Sequence, residues 1–164
     1  LAVTLVAFDA VVHTRGSAGS RDLPIANFFR LPGSTPQLET ALEPGALVTG
    51  VTVPLLPTGT RSTYLKVRDR AQYEFALASA AVAITIDNHT IREARIALGG
   101  VATIPWRAPE AERVLASSSP TRDNFEKAAA AALAGARGSG HNDFKIVLAQ
   151  RTLVRALEIA TAGT

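Results

Sequence analysis

Residues 75–100 read FALASAAVAITIDNHTIREARIALGG. The alanines of the first half permit a helix, but Val82, Ile84, Thr85 and Ile86 pull the second half towards a strand, because β-branched side chains suit a pleated surface. Asp87-Asn88-His89 reads as a turn, and Ile91–Gly99 as the antiparallel partner that follows it. In that partner Ile91, Ala94, Ile96 and Leu98 are the apolar positions, while Arg92, Glu93 and Arg95 are left for solvent. Upstream, Thr63–Arg70 alternates as a strand, with Tyr64, Lys66, Arg68 and Arg70 on one face and Leu65, Val67 and Asp69 on the other. These three segments make an antiparallel meander.

Outward from it, the C-terminal side is helical. A short helix is predicted over Pro109–Ser117, with proline in the first turn, where a missing N–H costs nothing. An alanine-rich helix follows over about Arg122–Ala136 and closes in glycine-rich sequence at Gly138 and Gly140. Asn142 or Asp143 can cap a third helix, whose stripe is Ile146, Ala149, Leu153, Leu157 and Ala160. Towards the N-terminus, Leu1–Val12 reads as a buried strand or a strand preceded by a helix end, and Leu23–Phe29 as a short strand that Pro24 confines to an edge or a strand start. Leu31–Pro44 is a proline-rich loop, and Leu47–Val53 is a strand with Leu47, Thr49, Val51 and Val53 on one face. Leu55–Thr60, with Pro57 and Gly59, is the candidate boundary between a unit at 1–56 and a unit at 61–164. Strands, boundary, strands and then helices define an α+β class rather than alternating βαβ units.

Composition narrows the function. The 164 residues are 47% hydrophobic and 19% charged, a globular balance. The net charge is +3, but basic residues alternate with acidic ones, as in Arg92-Glu93-Ala94-Arg95 and Glu110-Ala111-Glu112-Arg113. A nucleic-acid partner is therefore not expected, since phosphate neutralisation needs Lys and Arg gathered on one face. With no cysteine, the chain cannot ligate an iron–sulfur cluster by thiolates or use a thiol nucleophile. The longest mainly apolar run, Phe75–Ile86, falls short of the roughly 20 residues a spanning helix needs, so no membrane partner is expected. Leu1 opens directly into apolar sequence with no leader pattern, and the missing Met suggests a chain lacking its beginning.

No motif for hydrolysis, phosphate binding or metal binding emerges. His13, His89 and His141 read as turn histidines far apart in sequence, and neither a nucleophile elbow nor a glycine-rich phosphate loop occurs. Gly99-Gly100 reads as a tight strand exit, and Trp106 as a packing anchor beneath the helices.

Four stretches, taken in order, carry a resemblance. They are Phe28–Gly33 with Leu42–Val48, then Tyr64–Ala76, then Ala94–Ala102 with Pro105–Ala108, and finally Phe144–Ile146 with Leu148-Ala149 and Arg155–Leu157. Together they resemble the C-terminal portion of the FAD-binding subunit of molybdenum hydroxylases, the group of xanthine dehydrogenase and aldehyde oxidoreductase. The resemblance implies the end of an FAD-binding subdomain built of antiparallel strands, then a three-stranded antiparallel sheet packed on about three helices. It implies an oxidoreductase subunit in which electrons pass from iron–sulfur clusters through FAD to an acceptor such as NAD. The molybdenum cofactor and the clusters would lie on partner subunits. Other partners would include the N-terminal part of the same flavin subunit, and the setting would be the cytoplasm or, alternatively, the periplasm. The glycine-rich loops that cradle the FAD pyrophosphate in the family do not occur here. The chain by itself then reads as an inactive fragment with part of a site, or as a non-catalytic interaction module of the same fold.

The resemblance also assigns residues. Lys66 matches a lysine near the pyrimidine end of the isoalloxazine, where a cation stabilises the anionic reduced ring; the plainer reading is a strand lysine in solvent. Val48 matches an apolar position against the ring face, and Leu47 stands beside it as a further cofactor contact. Tyr73 falls where a loop residue flanks the ring, or else anchors the turn by its hydroxyl. Arg68 and Arg70 share the Lys66 face; they either attract an anionic cofactor or pair with Asp69 and Glu74, the second being preferred for Arg68.

Overall fold

The computed structural model describes residues 1–162. Helix α1 (Ala2–Ala7) leads into strand β1 (Val11–Gly16), which pairs antiparallel with β2 (Gly19–Pro24) and β3 (Leu47–Thr52) in the order β2-β1-β3. Of the two readings of the N-terminus, a strand after a helix end is the one found. The second strand lies earlier than expected. It ends at Pro24, whose ring removes a ladder donor, and Ile25–Asn27 form a 3₁₀ turn instead of strand. Pro24 does sit on an edge strand.

Strict alternation fails in β3. Gly50 pairs with His13 but Val48 pairs with Thr14, so Thr49 is an extra residue, a bulge whose hydroxyl donates to the His13 carbonyl at 3.2 Å. The bulge turns Val48 to the face of its partner Thr14, the same face as the Val12–Val51 pair, and leaves Leu47 opposite Arg15 on the other face. His13 is no turn histidine. It stands mid-strand, its Nδ1 2.7 Å from Asp22 of β2 and its Nε2 2.7 Å from Thr52 of β3, tying all three strands together.

The second sheet has the order β4-β5-β6-β7, all antiparallel: β4 (Arg61–Val67), β5 (Ala78–Asp87), β6 (Thr90–Gly99) and β7 (Trp106–Arg107). The meander is as expected, extended by the two-residue β7. Asn88 and His89 have φ of 48° and 58°, the pair of left-handed residues that a two-residue type I′ hairpin turn requires. Helices α2 (Pro109–Leu115), α3 (Arg122–Ala132) and α4 (Phe144–Thr161) complete the chain. Asp143 occupies the N-cap of α4 without a side-chain capping bond, and Asn142 instead accepts from the Ser139 amide at 2.6 Å.

The ambiguity of residues 75–87 has a structural cause: β5 is buried on both faces. Ala80, Val82 and Ile84 of β5 and Ile91, Ala94, Ile96 and Leu98 of β6 pack beneath the helices, with Phe125, Leu153 and Leu157. Ile91 and Ala94 share that face despite odd spacing because Arg92 is bulged out of the ladder. On the opposite face, Ala81 and Ala97 are small enough to let α1 dock through Val6 and Ala7. Trp106 anchors the helical side as expected, donating its indole N–H to the Ala132 carbonyl at 3.1 Å.

Gly99 lies in the alanine-lined face. A Cβ there would stand 2.5 Å from a Val3 methyl and 2.7 Å from the Ser79 hydroxyl. Gly99→Ala is therefore expected to lose about 1–3 kcal/mol, the usual cost of overpacking, measured by urea denaturation.

Candidate functional site

Strand β4 presents Tyr64 and Lys66 to solvent and turns Leu65 and Val67 inward, as its alternation requires. It stops at Val67, where the Leu77 amide donates to the Val67 carbonyl at 2.9 Å and closes a loop over residues 68–76. Arg68 and Arg70 thus belong to the loop rather than to the Lys66 strand face.

Three hydrogen bonds of 2.7 Å shape this loop. The Arg70 amide donates to the Glu74 carboxylate, the Arg70 guanidinium donates to the Tyr73 carbonyl, and the Lys66 ammonium donates to the Glu74 carbonyl. Tyr73 adopts a φ of 52°, a left-handed conformation unfavourable for an aromatic residue, and its side chain is 92% exposed. It does not anchor the turn through its hydroxyl; its backbone carbonyl is what the loop holds. Arg70 is the arginine that is engaged, by backbone and side chain together. Arg68 makes no ion pair among the described residues, contrary to the preferred pairing with Asp69 or Glu74, because Glu74 is turned towards Arg70.

Leu47 and Val48 lie on β3, 71% and 46% exposed, at the edge of the first sheet that no described strand covers. Adjacent strand residues point to opposite faces, so a ring against one face meets one of them, and a ring along the open edge meets both. The site residues therefore fall into two groups. Lys66 and Tyr73 are joined through Glu74 and Arg70, and no hydrogen bond links them to Leu47 or Val48. Sequence reasoning undervalued Glu74, whose carbonyl and carboxylate both hold the loop; a backbone acceptor leaves no mark in side-chain pattern.

The donor set suits an isoalloxazine. An ammonium has three N–H donors and Glu74 occupies one, leaving Lys66 able to serve a ring carbonyl or nitrogen. Exposed apolar side chains and an exposed aromatic supply faces for a planar ring. Among the described residues no cluster of His, Asp or Glu could hold a metal ion, and no helix is long and apolar enough to cross a membrane.

The described residues form an α+β chain in which an exposed lysine on β4 stands next to a loop carrying an exposed, left-handed tyrosine. Residues 63–160 match the CO dehydrogenase flavoprotein C-terminal domain, and residues 1–56 match the FAD binding domain in molybdopterin dehydrogenase. The chain belongs to the family of FAD-binding subunits of molybdenum hydroxylases. It is 42% identical to the aldehyde oxidoreductase FAD-binding subunit PaoB of Escherichia coli, over 99% of this chain and 48% of that protein. It is 35% identical to the carbon monoxide dehydrogenase medium chain of Afipia carboxidovorans, over 75% of this chain and 44% of that one. A carbon monoxide dehydrogenase from Hydrogenophaga pseudoflava superposes with a TM-score of 0.87 at 30% identity, covering 98% of this chain and 55% of that one. The chain thus spans about half the length of the relatives it matches.

Proposed function

We propose that this chain supplies the ring-proximal part of an FAD site in the electron-transfer subunit of a molybdenum-containing hydroxylase or dehydrogenase. Residues 1–56 form the end of the FAD-binding domain and residues 61–164 the C-terminal domain. The observation that carries the reading is the exposed Lys66 ammonium, held by the Glu74 carbonyl with donors to spare, beside the exposed Tyr73. FAD held here would supply the redox chemistry that links iron–sulfur clusters to an acceptor such as NAD. Lys66 holds positive charge at the ring, Val48 and Leu47 offer apolar surface, and Tyr73 covers the ring from the loop. The substrate is oxidised at a molybdenum cofactor on a partner subunit. The remaining half of the flavin subunit and an iron–sulfur subunit complete the assembly.

An FAD titration of the purified chain, followed by flavin fluorescence, tests this. Saturable binding that weakens by roughly ten- to a hundred-fold on Lys66→Ala is the expected result, since one charge-assisted hydrogen bond contributes about 1.5–3 kcal/mol. Absence of saturation at high micromolar FAD would favour the alternative, a structural module whose flavin affinity resides in glycine-rich loops that this sequence lacks.

A further inference from the structure

The Lys66–Glu74 bond runs from a strand side chain to a loop carbonyl, so the ammonium can be no better placed than the loop that receives it. The loop geometry has a definite origin. Arg70 grips it twice, its amide on the Glu74 carboxylate and its guanidinium on the Tyr73 carbonyl. Tyr73, at φ 52°, directly precedes Glu74, whose carbonyl accepts from Lys66. A left-handed tyrosine with a solvent-exposed ring is not held there by burial; the hydrogen bonds are what hold it.

We infer that Glu74 and Arg70 are positioning residues for the Lys66 ammonium, setting the potential of the bound flavin through the loop rather than by touching the ring. This rests on the proposed placement of Lys66 at the flavin. The inference makes a prediction opposite in sign to simple electrostatics. Glu74 is an anion, so removing its charge should by itself favour the negatively charged reduced flavin and raise the potential. Removing it as a loop brace frees Lys66 from its fixed place, weakens the cation's hold on the reduced ring and lowers the potential.

The experiment is redox titration of the flavin in the FAD-loaded protein carrying Glu74→Ala, Glu74→Gln, Lys66→Met, and the double variant of Lys66→Met with Glu74→Ala. Thermal melting of each variant is recorded alongside. The expected result is a lower potential for Glu74→Ala, restored by Glu74→Gln, whose amide oxygen still accepts from the Arg70 amide. In the Lys66→Met background Glu74→Ala should lower the potential no further, the mark of two residues acting through one group. A raised or unchanged potential in Glu74→Ala would overturn the inference while leaving Lys66 at the flavin, as would an equal drop in both backgrounds. A potential insensitive to Lys66→Met would remove the placement of Lys66 itself, and the positioning role with it.

Discussion

Phe125→Ala is expected to destabilise the protein by about 3–5 kcal/mol, the range for truncating a buried aromatic residue. Phe125 is the largest fully buried side chain and projects from α3 into the core shared with β5 and β6. Its neighbours include many alanines, among them Ala128, Ala129 and Ala132 on its own helix, which have no side-chain length with which to collapse into the space left behind. The cavity should therefore persist, which places the loss at the upper end of the range. Against the total of about 5–15 kcal/mol typical of a domain, such a loss leaves little margin. Urea denaturation followed by far-ultraviolet circular dichroism reads it as a lower midpoint at unchanged slope.

The second large effect is expected at Arg107. Its side chain is 27% exposed and lies where α1 packs against the second sheet. It donates to Glu112 of α2 at 2.7 Å, to Asp9 beyond α1 at 2.5 Å and to the Val6 carbonyl at the end of α1 at 2.8 Å. Glu112 also accepts from the Ile96 amide at 2.7 Å, so one arginine joins the N-terminal helix, the central hairpin and the helical layer. Burial alone would lower its pKa, but the hydrogen bonds and charges of Glu112 and Asp9 outweigh burial and raise it. A folded-state value raised above the unfolded one means that this stabilisation is complete below the ordinary arginine range and fades only above it. Arg107→Met keeps the apolar stem but leaves the Glu112 carboxylate, itself 18% exposed, short of its cation. A loss of about 2–4 kcal/mol is expected, below the full value for breaking a buried pair because solvent reaches part of the network. It should not vary between about pH 6 and 9, since that window lies well below the arginine range. Asp9→Asn, at a half-exposed position, should lose about 1 kcal/mol or less. Equal losses from the two variants, read by chemical denaturation, would show that the network acts as a surface pair.

The sequence made the α+β order, the central hairpin and the three helices legible, because each rests on local pattern: β-branched residues, a turn at Asp87–His89, and a stripe at helical spacing in α4. What it hid were features set by pairing between distant segments. The bulges at Thr49 and Arg92 change which face a side chain occupies, and neither residue type announces a bulge. His13 looked like a turn residue because its partners, Asp22 and Thr52, are remote in the chain. At the candidate site, Lys66 and Tyr73 were visible as residues, whereas their connection runs through main-chain carbonyls that any sequence carries.

The two-residue turn at Asn88-His89 also bears on the order in which the molecule assembles. Its hairpin zips from neighbours in sequence, starting at Asp87 and Thr90, and hairpins of this kind close in about 1–10 μs. The first sheet must instead bring Val12 to Val51 across the long proline-rich loop, and that search carries a larger loop-closure entropy. The hairpin is thus the natural nucleus, and α1, which docks on its alanine face, has nothing to bind until that face exists. Helix α1 leaves the ribosome before the hairpin, yet waits for residues as distant in the chain as Ala81 and Ala97 before it can settle.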